Sequence, residues 1–241
     1  MTGVQTCALP ILSMDVFQLR IVVGLVMLSV SSGLDVWKRE IHDFYWLAFG
    51  AITVTISVLA FDQLNIVTLL YSLIIVPIAL VLWRLGLFGG ADAFALIVLA
   101  GLCPMATLSN SIITPFTTLS NAALLIVVPI SWNLARNGIS ILQGHKIFDG
   151  FDETRVRKIF ASMIGHQSKN PRFSFSIEHV IDGKKKFLLQ IHNAETAEFC
   201  NTPNTWITQG VPYLLLISGG FCIQLLYGDI IFGFILRVIT I

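Results

Sequence analysis

Long apolar runs separated by short polar ones dominate this chain. A bilayer crossing needs about 20 mostly apolar residues. The runs at 16–35, 44–61, 65–85, about 88–106, 120–136 and 211–228 therefore predict six helical spans. Pro77 and Pro129 fall inside the third and fifth, where neighbouring helices can satisfy the backbone groups a proline frees. Pro104 follows soon after the glycine cluster that opens the fourth. Between the fifth and sixth runs the composition becomes that of a soluble segment, residues 137–210. There, Asp152–Gly165 carries an acid at the expected N-cap and apolar residues at helical spacing (Val156, Ile159, Phe160, Met163). Phe173–Ile181 and Lys186–Ile191 flank Asp182-Gly183, a hairpin signal. The pattern predicts an all-α polytopic membrane protein of about six transmembrane helices with a small α+β cytoplasmic insert. An insert of this size is expected to lean on the membrane portion.

Composition supports the membrane reading. The 241 residues are 55% hydrophobic and 12% charged, whereas soluble domains carry roughly 25% charge. A net charge of +1 excludes the basic excess of a nucleic-acid binder. Cys7, Cys103, Cys200 and Cys222 are scattered and form no zinc-ribbon or disulfide framework. His42, His145, His166, His179 and His192 share no metal-ligand spacing, and neither a metal nor another cofactor is expected. Met1–Ile11, MTGVQTCALPI, back-translates with a GTG start as sequencing-library adapter, so residues 1–13 are set aside and the natural start is expected at Met14 or upstream. The expected organisation is then a five-span portion over 14–136, the insert over 137–210, and a sixth span with its tail over 211–241.

Basic residues set the orientation. With the first span running inward, Lys38, Arg39, Arg84 and Arg136 all fall on the cytoplasmic side near span ends, which places the N-terminus outside. Asp35 then ends an inward span and Asp92 opens an outward one. Both carboxylates are expected near the cytoplasmic face at similar depth.

An ionisable residue at the edge of a hydrophobic span marks a functional site by default. Two carboxyl groups close together share a proton and titrate as a pair. One can then take a proton from water while the other donates to a carbonyl, the requirement for peptide hydrolysis. Beside Asp92, Gly89-Gly90-Ala91 permits close backbone approach, although small residues also serve simple helix packing. Arg39 fits two roles, a cytoplasmic anchor or an electrostatic partner of a nearby carboxylate. Asp229 is read as a span terminus or a partner of Arg237, on the wrong side to meet the pair. Ser31, Ser32 and Ser109 have no base beside them. Lys184-Lys185-Lys186 reads as a solvated strand start, with anionic headgroups as a second role.

The stretch Asp35-Val36-Trp37-Lys38-Arg39-Glu40-Ile41-His42-Asp43-Phe44 carries the pattern D-x-x-x-R-E-I-x-D-[FY] at the end of a first span. With Gly89-Gly90-Ala91-Asp92 opening the fourth, it resembles the archaeal preflagellin and type IV prepilin peptidases, GxGD-type membrane aspartyl proteases. Trp206-Ile207-Thr208 followed by Val211-Pro212 is similar to that family's approach to the last span. The resemblance covers about residues 14–241. It implies that Asp35 and Asp92 are the catalytic dyad, with Gly89, Gly90, Ala91 and Arg39 in support. It further implies flagellin- and pilin-like precursors as substrates, their basic leaders cut at the cytoplasmic face. Ala91 stands where the motif has glycine, and Phe94 where many relatives carry lysine. No cysteine cluster of the bacterial methylating enzymes is present. A transporter and a non-catalytic pilus or archaellum assembly factor are the competing classes. The sequence leaves the oligomeric state open.

Overall fold

The structure is a computed structural model that describes residues 15–105, 114–171, 173–181, 183–188 and 199–239. The adapter-like stretch, Met14, Ser109, Asp182, His192 and the expected strand end at 189–191 lie outside the described residues. The fold is mostly helical, with a small sheet region. In chain order come α1 (Val16–Lys38), α2 (Asp43–Leu59), α3 (Ile66–Leu73), α4 (Ile75–Arg84), α5 (Gly90–Leu102), α6 (Thr114–Leu125) and α7 (Val127–Leu142). Then follow α8 (Arg155–Ile164), β1 (His166–Ser168), β2 (Ser174–Ser176), β3 (Glu178–Ile181), β4 (Lys184–Phe187), β5 (Thr205–Gln209), α9 (Tyr213–Tyr227) and α10 (Ile230–Ile239).

Among the described residues, three helical stretches are long and apolar enough to cross a membrane: Val16–Lys38, Ile66–Arg84 and Thr114–Leu142. Three shorter apolar helices, α2, α5 and α9, fall on the other predicted runs. Both long stretches after α1 are broken, and the prolines account for the positions. Pro77 and Pro129 cannot donate to residues 73 and 125, and their rings crowd those carbonyls. The first helix of each pair ends there, at Leu73 and at Leu125. The fourth apolar run yields only a 13-residue helix. It stops at Leu102 because Cys103 precedes Pro104, a position driven out of the helical region and found at φ −129°, ψ 69°.

The fifth run departs most from expectation, since helix begins at Thr114 and persists to Leu142 rather than covering 120–136. Its polar start looks like loop in sequence but faces inward. Thr118 donates to Gln224 Oε1 at 2.5 Å, and the Asn121 amide donates to the Gly228 carbonyl at 2.9 Å. Gly220 makes this α6–α9 contact possible: a Cβ there would stand 2.5 Å from the Thr118 carbonyl oxygen.

Helix α5 lies at the centre, packed by α1, α2, α3, α4, α6 and α9. Its small residues Ala93, Ala95 and Ala100 are fully buried among Leu96, Leu99 and Leu102. Arg20, on the first turns of α1, donates to the Leu102 carbonyl at 2.8 Å and to Ser57 at 3.3 Å. Its cation therefore meets the unsatisfied carbonyls at the negative end of α5.

The insert has its own core of Ile147, Phe151, Ala161, Ile177, Phe187 and Trp206. Trp206 is fully buried, stacks on Phe148 at 5.2 Å and donates its indole N–H to the Ile147 carbonyl. Strand β5 runs antiparallel between β1 and β2, and β3–β4 form a separate hairpin. Thr154, not Asp152, caps α8, accepting from the Arg157 N–H. Asp152 is already committed to the hairpin: its N–H donates to the Lys185 carbonyl and its carboxylate pairs with Lys184 at 2.8 Å.

A polar clasp fastens this insert to α7. The Asn137 amide donates to the Ser162 and Gly165 carbonyls at 3.0 and 2.8 Å, and Asn133 donates to Met163. His166 is buried between Asn133 Oδ1 (3.2 Å) and Arg136 (2.9 Å). Burial first, and the neighbouring Arg136 cation second, push its pKa down to about 4, so the imidazole is neutral near pH 7.

Candidate active site

Three helix ends converge at the end of the bundle opposite Arg20. Helix α1 arrives with Asp35 in its last turn, α5 departs with Asp92 in its first, and α9 departs from Tyr213. An α1 that runs toward the site beside an α5 that runs away from it brings the two acids to one level, although they are 57 residues apart in sequence (92 less 35).

Asp92 is buried, 9% exposed, and its Oδ2 accepts from the Gly89 N–H at 2.9 Å. In return the Asp92 N–H donates to the Gly89 carbonyl at 3.2 Å. The acid thus closes the N-terminus of its own helix, where free N–H groups and the helix dipole favour a carboxylate. The space above Gly89 explains the small residue: a Cβ there would lie 3.3 Å from Asp92 Oδ2. Gly90 opens the helix, and Ala91 packs at the edge of the core.

Asp35 is half-buried, and one turn before it Ser32 donates to the Leu214 carbonyl at 2.9 Å, tying this end of α1 to the first turn of α9. Arg39, one turn after Asp35, lies within electrostatic reach of it. The Asp35 and Asp92 carboxylates are likewise within electrostatic reach of each other. Asp92 is therefore held by an N–H at the start of its own helix, with Asp35 on the neighbouring helix end within its electrostatic reach.

Arg39 terminates α1 in a left-handed conformation, φ 60°. Its guanidinium stands over the Phe173 ring at 5.9 Å, and its Nε has no hydrogen-bond partner among the described residues. It borders a cleft of about 260 Å³ that Trp132, Asn133, Phe173, Gln209 and Pro212 also line. The cleft joins the end of α1 to α7 and to the insert. Phe94 turns away from the acids and packs against Trp83, ring centres 5.8 Å apart.

Tyr213 and Leu214 escaped the sequence reading, which stopped at Val211-Pro212. Tyr213 packs against Phe88 at 5.0 Å and lies within electrostatic reach of Asp92. The available signal was Pro212 itself, since a proline just before an apolar run marks a helix start with free N–H groups behind it. The remaining acid, Asp229, lies apart from the pair. It accepts from the Phe232 N–H at 2.8 Å at the start of α10 and from Ser120 at 3.4 Å.

No family model and no curated protein matches the chain. The expected kinship with prepilin-type peptidases therefore rests on residues 35–44 and 89–92 themselves and on where the fold puts them.

Proposed function

We propose that this chain is a membrane aspartic endopeptidase that removes the short basic leader from archaeal preflagellin- or prepilin-like precursors at the cytoplasmic face. The reading takes α1, α2, α3–α4, α5, α6–α7 and α9 as six spans, with the N-terminus outside. One observation carries it: Asp35 and Asp92, from different helices, come within electrostatic reach of each other at one end of the bundle.

The chemistry follows from that pairing. One carboxylate takes a proton from water as the oxygen attacks the scissile carbonyl, while the protonated partner donates to the carbonyl oxygen. The gem-diol then collapses as the leaving nitrogen takes up a proton, and no covalent enzyme intermediate forms. The Gly89 N–H stabilises negative charge on Asp92. The cleft that Arg39 borders, one turn beyond Asp35, is where this reading seats the substrate's extended chain. A transporter uses buried acids too, and the location of both acids near one face and the lack of an internal repeat weigh against it.

The test is cleavage of an archaeal preflagellin or prepilin in membranes containing the protein, beside Asp35→Asn and Asp92→Asn. The expected result is cleavage by the parent and none by either variant at equal expression. Cleavage that survives one substitution removes that acid from catalysis. A folded parent that cleaves no precursor shifts the reading to an assembly factor or a carrier.

A further inference from the structure

Helix α8 presents its side chains in an inverted order. Its buried residues are the small Ala161 and Ser162, whereas Val156, Ile159, Phe160 and Ile164 are 60%, 59%, 53% and 39% exposed. At 100° per residue these four apolar side chains form one continuous stripe, with Met163 inside it. Arg155 and Arg157 border the two edges of that stripe. The opposite face holds Ala161, which belongs to the core of the insert. A helix that only covered a soluble core would turn its large apolar residues inward.

The rest of the fold indicates what covers the stripe. The C-terminal end of α8 is tied to α7 through Asn133 and Asn137. Helix α7 belongs to a stretch that is long and apolar enough to span a membrane. Ile164 lines the same cleft as Trp132 and Pro129 of that stretch. Val128 and Trp132 of α7 are 64% and 68% exposed, so the lipid-facing surface of α7 continues onto α8. The insert core lies on one side of α8, and the apolar stripe points away from it.

We propose that α8 is an in-plane membrane anchor: Val156, Ile159, Phe160 and Ile164 enter the acyl boundary of the bilayer and Arg155 reaches its phosphates, while Arg157 holds the helix to the insert through Glu153 and the Phe187 carbonyl. Large apolar residues on one face with a bordering arginine are what such an interface selects. The anchor holds the insert flat against the membrane surface and fixes the cleft beside Arg39 relative to the bilayer.

The test uses the full chain reconstituted in phosphatidylcholine–phosphatidylglycerol vesicles. A photoreactive benzoylphenylalanine replaces Phe160 in one sample and Lys184, on the exposed hairpin, in another. Illumination is expected to give lipid adducts at position 160 at a several-fold higher yield than at 184. A second measurement follows hydrogen exchange of the α8 amides in vesicles for Ile159→Glu with Phe160→Glu. Faster exchange confined to α8, with the insert core still protected, is the expected result. Equal lipid yields at the two positions would overturn the proposal. So would adducts at 160 to a second copy of the chain or to another protein, or unchanged exchange in the charged variant.

Discussion

Gly220→Ala should loosen the whole molecule and not only one contact. The added Cβ would stand 2.5 Å from the Thr118 carbonyl oxygen and 2.8 Å from the Ala122 nitrogen, whereas ordinary contact begins at 3.4 Å. Both neighbours are helix backbone, so no rotamer change relieves the clash. Helices α6 and α9 must part by about 0.9 Å at that crossing (3.4 less 2.5). Overpacking of this kind costs about 1–3 kcal/mol, and the Thr118–Gln224 hydrogen bond a turn away lengthens with it. The same displacement travels along α9 to its first turn, where the Leu214 carbonyl receives Ser32, one turn before Asp35. Misplacing a reacting group by about 1 Å can lower a rate by as much as ~10²-fold. Thermal unfolding in detergent and precursor cleavage in membranes are the paired assays. Gly33→Ala is the control, since a Cβ there meets nothing within 4 Å and helix propensity favours alanine by up to ~1 kcal/mol. A Gly220→Ala protein that melts with the parent and cleaves at the parent's rate would refute the argument.

Three further outcomes follow from the structure. His166 takes up a proton at 6.5 when unfolded but only at about 4 when folded, so the unfolded chain binds more protons between those values. The His166 contribution to stability should be level above pH 6.5 and fall as pH drops toward 4, by at most about 3 kcal/mol. His166→Gln should flatten that slope in pH-dependent melting. Asn137→Ala leaves the buried Ser162 and Gly165 carbonyls without their shared donor. It should cost about 1–3 kcal/mol and speed limited proteolysis between α7 and α8 while the membrane helices stay protected. Asp229→Ala removes the acceptor of the Phe232 N–H. It should destabilise α10 by about 1 kcal/mol and leave precursor cleavage unchanged, which an assay on membranes checks directly.

The helical runs and the two acids were legible because hydropathy and isolated charge are local properties of the chain. Pro77 and Pro129 were visible as well, and they locate the breaks at Leu73 and Leu125. The start of α6 was not legible. Thr114, Thr117 and Thr118 read as polar loop until α9 is present to receive Thr118. Asp152 misled in the opposite way: it is a good capping residue in sequence, but Lys184, 32 positions later, claims it. Leu214 and Tyr213 were not singled out as site residues because their contribution comes from where α9 sits, and Pro212 marks only that a helix starts there. The stripe on α8 had the right period, yet periodicity alone does not say which face is turned inward.

Arg20 and Asp35 also behave as the two ends of a gauge. Asp35 lies fifteen residues after Arg20, or about 22 Å along α1. The span from Asp92 to Leu102 covers only about 15 Å of α5, and the extended Arg20 side chain bridges much of the difference when it grips the Leu102 carbonyl. The separation of the acids is thus calibrated at the far end of the bundle. A residue inserted into α1 between these two points would slide Asp35 by about 1.5 Å and swing it by about 100°, away from Asp92. Helix lengths on either side of this grip are therefore tied to each other, and a change in one survives only with a matching change in the other.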